Sequence, residues 1–218
     1  MKAVNAENEA FARRVRERLA EAGVLMINLM SGPGAGKTTL LEKTLGRLGD
    51  RYRFAAIEGD LFTDRDARRL ERFHIPVIQL NTQGSCHLTA QMIEAAIEKM
   101  PLAGLDFLLV ENVGNLVCPS SFNLGEQRRV TLLSISEGSD KIAKYPKAFR
   151  TADCLVVTKL DLLPATDFSL AEVAADFRVV NAHSPILALS AKTGEGMTQW
   201  YQMLKTWKAE EDARPRVA

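Results

Sequence analysis

Short apolar runs alternate along the chain with segments of helical period. Leu25–Met30, Phe54–Ile57, Val77–Leu80, Phe107–Val110, Thr131–Ile135, Leu155–Val157 and Ile186–Leu189 are largely apolar stretches of strand length. Strands apolar at nearly every position are covered on both faces, the habit of a parallel sheet. Between them, 38–48, 64–73, 88–100, 168–177 and 196–208 carry apolar residues at helical spacing. Ahead of the first strand, 7–22 predicts a further helix with Phe11, Val15, Leu19 and Ala22 on one face. This alternation predicts an α/β fold: a doubly wound, mostly parallel sheet flanked by helices on both faces. The 218 residues suit one domain, 1–218, opened by an N-terminal helix within 1–23. The charged stretch 209–218, with Pro215, is expected to fray.

Composition narrows the function classes. With 46% hydrophobic and 25% charged residues the chain is globular rather than disordered or fibrous. The 28 Lys+Arg nearly cancel the 27 Asp+Glu, leaving +1, so no bulk attraction to nucleic acid or an anionic membrane is expected. Arg13, Arg14, Arg16 and Arg18 alternate with Glu17 and Glu21 and read as a solvated helix face. The apolar run Val24–Met30 is too short to span a bilayer and leads into a glycine loop, not a cleavage site. Three cysteines, an odd number, argue against a disulfide framework and for a reducing cytoplasm.

The first strand leads into Ser31-Gly32-Pro33-Gly34-Ala35-Gly36-Lys37-Thr38-Thr39 and then a helix, the setting of a phosphate-binding P-loop. Glycines let backbone N–H groups turn toward phosphate oxygens, and the helix N-terminus adds its dipole. Lys37 offers a cation to the β- and γ-phosphates, and Thr38 a hydroxyl to Mg²⁺. The strict motif has glycine where Ser31 stands; Gly32, one position on, is available for the turn. The strand 106–111 ends in Glu111, an acid placed to order Mg²⁺, and Gly114 follows where an amide senses the γ-phosphate. Asp60 is either a second carboxylate near the metal or a helix-start residue.

Two later motifs choose the base. Thr158-Lys159-Leu160-Asp161 resembles the guanine motif NKxD, with Thr158 in place of Asn. An aspartate there accepts guanine N1–H and the exocyclic amine, which adenine does not offer in that arrangement. Ser190-Ala191-Lys192 resembles the SAK base loop. In this order, the motifs favour GTP over ATP. Cys86-His87 and Cys118 have the chemistry of a Ni²⁺ or Zn²⁺ site, one ligand short of a closed tetrahedron that a dimer or solvent would complete. Without CxxC spacing, unrelated reduced side chains in loops remain the alternative. Cys154 reads as core, and His74 and His183 as surface residues.

The stretches 31–39, 57–60, 81–92, 111–119, 137–154, 158–164 and 190–197 resemble the HypB family, the accessory GTPases of nickel insertion into [NiFe]-hydrogenase. The resemblance covers about residues 7–206 and implies a SIMIBI-class P-loop GTPase. It implies GTP/GDP and Mg²⁺ as cofactors and Ni²⁺ or Zn²⁺ at Cys86, His87 and Cys118 beside a nucleotide-dependent homodimer interface. It also implies nucleotide contact at Lys144, and a HypA-type nickel chaperone and the hydrogenase large-subunit precursor as partners. The residues themselves offer no glutamine placed for water and no assured arginine finger, so slow intrinsic hydrolysis is expected, with dimerisation or a partner completing the site. Members often carry Asn where Arg65 stands and Asp where Thr89 stands. Residues 1–24 contain no Cys or His, so no nickel-storage segment is assigned there. The competing readings are a urease-type nickel GTPase, a P-loop small-molecule kinase, and a metal-storage protein with an inactive nucleotide site.

Overall fold

The computed structural model describes residues 2–60, 65–82 and 86–214. Every expected strand forms: β1 (Leu25–Ser31), β2 (Phe54–Asp60), β3 (Val77–Asn81), β4 (Phe107–Glu111), β5 (Arg128–Ser134), β6 (Cys154–Thr158) and β7 (Ile186–Ala188). They lie in the order β3-β2-β4-β1-β5-β6-β7, and every neighbouring pair is parallel.

The apolar strands feed two faces by simple alternation. Leu25, Ile27 and Leu29 of β1, with Phe107 and Leu109 of β4, pack beneath α2 (Lys37–Leu48) and α8 (Met197–Asp212). Met26, Leu108 and Val110 point the other way, onto α1 (Lys2–Ala22) and α4 (Ala90–Ile97). Farther along the sheet, Leu155 and Val157 meet Phe149 and Phe177 of α6 (Pro146–Arg150) and α7 (Leu170–Val180). α3 (Arg65–Glu71) and the one-turn α5 (Lys141–Lys144) complete the set. The arginine-rich stretch of α1 is a solvated face, with Arg14 ion-paired to Glu94.

Two stretches depart from the sequence pattern. α5 and α6 were unanticipated because each is short and Pro146 opens a new helix at its first position. The pattern also ends the last helix at 208 and leaves 209–218 to fray, whereas α8 runs on to Asp212. Its final turns are anchored: Trp207, Lys208 and Glu211 are buried, and Lys208 Nζ donates to Gly23 O at 3.1 Å. Residues 215–218 lie outside the described residues. Among the described residues no helix is long and apolar enough to cross a membrane.

Trp200 locks α8 onto α2. It is fully buried, and its indole N–H donates to Thr44 Oγ1 at 2.9 Å, whose hydroxyl donates to Leu40 O at 2.7 Å. Trp200→Ala is expected to cost about 3–5 kcal/mol through the cavity left behind and the orphaned hydroxyl. A fall in the urea midpoint at unchanged slope checks it; an unchanged midpoint would mean that α8 adds nothing to this core.

Candidate functional site

β1 is the point where strand order reverses, with β4 on one side and β5 on the other. In open parallel sheets, ligands bind beyond the carboxyl ends of the strands at such a point. The loop after β1 turns there through Gly34 and Gly36, at φ 72° and 95°. Both glycines face open space. Gly36 caps α2 without any side-chain bond, so the first amides of the helix are left for a ligand.

Neighbouring groups press closely on this loop. A Cβ on Gly114 would sit 3.0 Å from Pro33 Cα, so any side chain there would push the segment after β4 off the P-loop by a few tenths of an ångström. A Cβ on Gly32 would meet Glu137 Oε1 at 2.2 Å, and Glu137 is held in place by the Ser134 amide. Gly32 is therefore required by close approach rather than by a left-handed turn. Ser31, the departure from the strict motif, accepts from Lys37 Nζ at 3.0 Å and donates to Gly32 O at 2.6 Å. It gives the lysine a neutral partner.

A cavity of about 400 Å³ opens over this loop, lined by Pro33, Gly34, Gly36, Lys37, Thr38, Thr39, Glu111 and Gly114. Thr38 Oγ1 donates to Glu111 Oε1 at 3.0 Å, and Lys37 Nζ lies 3.9 Å from the same oxygen. Glu111 Oε2 is buried with no hydrogen bond. The Thr38 hydroxyl and the Glu111 carboxylate, one of whose oxygens has no donor, form a hard oxygen donor set that suits Mg²⁺. Asp60 ends β2 beside this cavity's Gly59, but its side chain lies outside the described residues, as does that of Arg65.

The sequence reading missed Glu58. It lies beside Glu111 across the β2–β4 pairing, lines the same cavity and is buried. Burial and the neighbouring carboxylate raise Glu58 to about 10. Burial raises Glu111 to about 7, against the pull of Lys37 and the Thr38 hydroxyl. Burial and mutual repulsion together disfavour two charges on the pair. Arg69 also lines the cavity, but its guanidinium is committed to Glu42, Asp66 and Thr39.

A second cavity of about 310 Å³ adjoins the first, sharing Gly36, Thr39 and Lys159. Thr158, Asp161, Ser190, Ala191 and Lys192 line it together with Ala35. The Ser190 hydroxyl donates to Asp161 Oδ1 at 2.6 Å, and Lys192 Nζ stands 3.9 Å from Oδ2. Thr158, lacking the amide of the usual Asn, still ties the base loop to the P-loop: its hydroxyl donates to Ala35 O at 2.6 Å. Lys159 takes a left-handed conformation, φ 61°, and donates to Ser136 Oγ at 3.3 Å. Lys144 lines neither cavity; it is exposed and pairs with Asp140.

Cys86, His87 and Cys118 converge, with one ligand atom from each lying within 4.8 Å of the others. Cys86 and His87 manage this because they sit on a bend before α4 rather than in a strand. Thr89 caps that helix by accepting from the Met92 amide. The His87 ring stacks on Phe122, centroids 3.9 Å apart, and burial lowers its pKa toward the neutral form that ligates metals. The structure sets the sulfurs of Cys86 and Cys118 against each other as a disulfide pair at this same point. The odd cysteine is Cys154, buried in β6 with its thiol pushed up to about 12. His74 and His183 are exposed.

The Cys86–His87–Cys118 cluster lies a short stretch of chain from the phosphate cavity. From Gly114 the chain reaches Cys118 in four residues, stiffened by Asn115, whose side chain accepts from the Val117 amide at 2.8 Å. On the other side, Gly59 packs against Leu88, next to His87; a Cβ there would lie 2.9 Å from Leu88 Cγ.

A parallel sheet with a P-loop at its switch point, an acid-ended strand beside it and an aspartate-bearing base cavity defines a P-loop nucleotide-binding domain of GTPase type. The model for the CobW/HypB/UreG nucleotide-binding domain matches residues 25–188. The hydrogenase maturation factor HypB of Escherichia coli K12 is 48% identical over 200 residues, 92% of this chain and 69% of that protein. Among solved structures, HypB of Archaeoglobus fulgidus superposes with a TM-score of 0.88 at 38% identity, covering 93% of this chain and 99% of that one. HypB of Helicobacter pylori, solved in complex with nickel, gives 0.90 at 38% identity, covering 97% and 99%. The chain belongs to the HypB family of hydrogenase maturation factors.

Proposed function

We propose that residues 1–218 form one GTPase domain acting as a metallochaperone. It hydrolyses GTP to GDP and phosphate, binds Ni²⁺ or Zn²⁺ at Cys86, His87 and Cys118, and assists nickel insertion into [NiFe]-hydrogenase. The observation that carries this reading is a single loop: it leaves the phosphate cavity at Gly114 and reaches a soft-metal ligand, Cys118, four residues on. A shift of that loop with the γ-phosphate changes the cluster, so nucleotide state sets metal affinity.

In this reading Lys37 and the amides of Gly32–Thr38 stabilise charge on the transferring phosphoryl group. Thr38, Asp60 and Glu111 hold Mg²⁺, which neutralises phosphate charge. Thr158, Lys159, Asp161, Ser190, Ala191 and Lys192 take the guanine. Three metal ligands leave the coordination sphere open, and a nucleotide- and metal-dependent homodimer closes it. The same dimer gives Lys144 a second nucleotide to reach. A HypA-type nickel chaperone and the hydrogenase large-subunit precursor are the partners, and the cytoplasm is the place of action.

Turnover is slow in the isolated chain because Arg69, the arginine lining the phosphate cavity, is held by Glu42. With Mg²⁺, GTP is expected to be hydrolysed below about 0.1 per second, the range of P-loop GTPases without a partner's added groups, and ATP not at all. Lys37→Ala is expected to cost about a hundredfold to a thousandfold. Equal phosphate release from ATP, or an unaffected Lys37→Ala, would overturn the reading.

A further inference from the structure

Glu58 is a buried acid in the phosphate cavity to which neither motif nor resemblance gives a role. It stands on β2 directly across from Glu111 on β4. Its side chain is only 2% exposed, and Oε1 makes no hydrogen bond. Glu111 Oε2 is orphaned in the same way. Two neighbouring carboxyls, each with a buried oxygen that no donor satisfies, thus line one cavity together with Thr38 and Lys37. The two carboxyls hydrogen-bond to each other, yet each keeps a buried oxygen with no other donor, a costly arrangement for acids that serve packing alone. Lys37 Nζ lies 3.9 Å from Glu111 and serves the phosphates once a nucleotide is bound.

We infer that Glu58 belongs to the magnesium site, supplying a second carboxylate beside Glu111. The inference rests on the nucleotide-binding reading above and deepens it. Mg²⁺ is held by few protein carboxylates together with substrate phosphate and water, and a second acid at hand strengthens its attraction without closing the site to phosphate. The surroundings support this: Gly59, the next residue, is pressed against Leu88, so the strand end carrying Glu58 is fixed rather than free to turn away.

The test is Mn²⁺ binding, read by loss of the free-ion EPR signal, to the GDP-loaded full chain. Glu58→Gln keeps the shape and removes the charge, and GDP binding in EDTA reports that the variant is folded. Glu58→Gln is expected to weaken Mn²⁺ roughly tenfold to a hundredfold. Glu58→Asp, which keeps the charge, is expected to recover most of that loss. Glu111→Gln is the reference. If Glu111→Gln weakens Mn²⁺ while Glu58→Gln stays within about twofold of wild type, the inference falls and the magnesium assignment survives. If neither variant changes Mn²⁺ affinity, both fall together. A loss of GDP binding by wild-type protein would instead overturn the nucleotide reading beneath them.

Discussion

Cys118→Ala is expected to abolish nickel binding by the reduced protein. The cluster offers three ligand atoms within 4.8 Å, and removing one leaves Cys86 and His87, adjacent in sequence, as the remaining donors. Loss of an outer partner of a ligand alone costs tenfold to a hundredfold, so loss of the ligand is expected to cost about a hundredfold or more. The titration needs reductant, because Cys86 and Cys118 joined as a disulfide carry no thiolate to give. Sulfur-to-nickel absorbance and equilibrium dialysis read the same loss independently. Repeating the titration with GDP and with a nonhydrolysable GTP analogue is expected to separate the two states by about tenfold, within the usual range of coupling between sites. Affinity unmoved by Cys118→Ala would put the metal elsewhere on the chain. Affinity moved by the substitution but blind to nucleotide would leave a metal site uncoupled from the GTPase, whatever the link from Gly114 to Cys118.

What was legible in the sequence follows from how much of each feature is local. The strands of the buried sheet announce themselves because both faces of β1, β4 and β6 are covered, which leaves an apolar residue at almost every position. The P-loop, Glu111, Asp161 and Ser190 are legible because a phosphate or a base imposes residue types at fixed short spacing. Glu58 is not, because one acid in an apolar strand carries no spacing signal. Its meaning comes from Glu111 across the sheet, and strand order is not written in either segment. Phe122 against His87 is hidden for the same reason, a contact across 35 positions of chain. The role of Ser31 is local yet was visible only as a departure from a motif. The hydrogen bond it offers Lys37 explains the tolerance. The cysteine count is silent on this convergence because it treats cysteines as a population, whereas the fold separates the buried Cys154 from two that share a point in space.

Asp161→Asn is expected to exchange guanine for xanthine. The Asp161 carboxylate is already oriented: the Ser190 hydroxyl donates to Oδ1 at 2.6 Å, and Ser190 itself accepts from the Thr193 amide at 3.2 Å. A base in the adjoining cavity would meet Oδ2 as its acceptor. Guanine presents two donors, N1–H and the exocyclic amine, and a carboxylate pairs with both. An asparagine there turns one acceptor into a donor, so a guanine donor is left buried against another donor. Sites built for such pairs reject the mismatched partner by up to about four or five orders of magnitude. Half of that pairing is retained, so a loss near a thousandfold in GTP affinity is expected, about 4 kcal/mol. Xanthine carries a carbonyl where guanine has its amine, so XTP should gain in the variant what GTP loses. Competition of GTP, XTP and ATP against labelled GDP reads the three affinities in one assay. Because Thr158 holds the base loop to the P-loop through Ala35 O, the phosphate cavity should keep its shape in the variant. XTP binding then separates a changed base site from a damaged one. An equal loss for GTP and XTP would mean that Asp161 acts through Ser190 on the loop's structure, and that the base is chosen elsewhere.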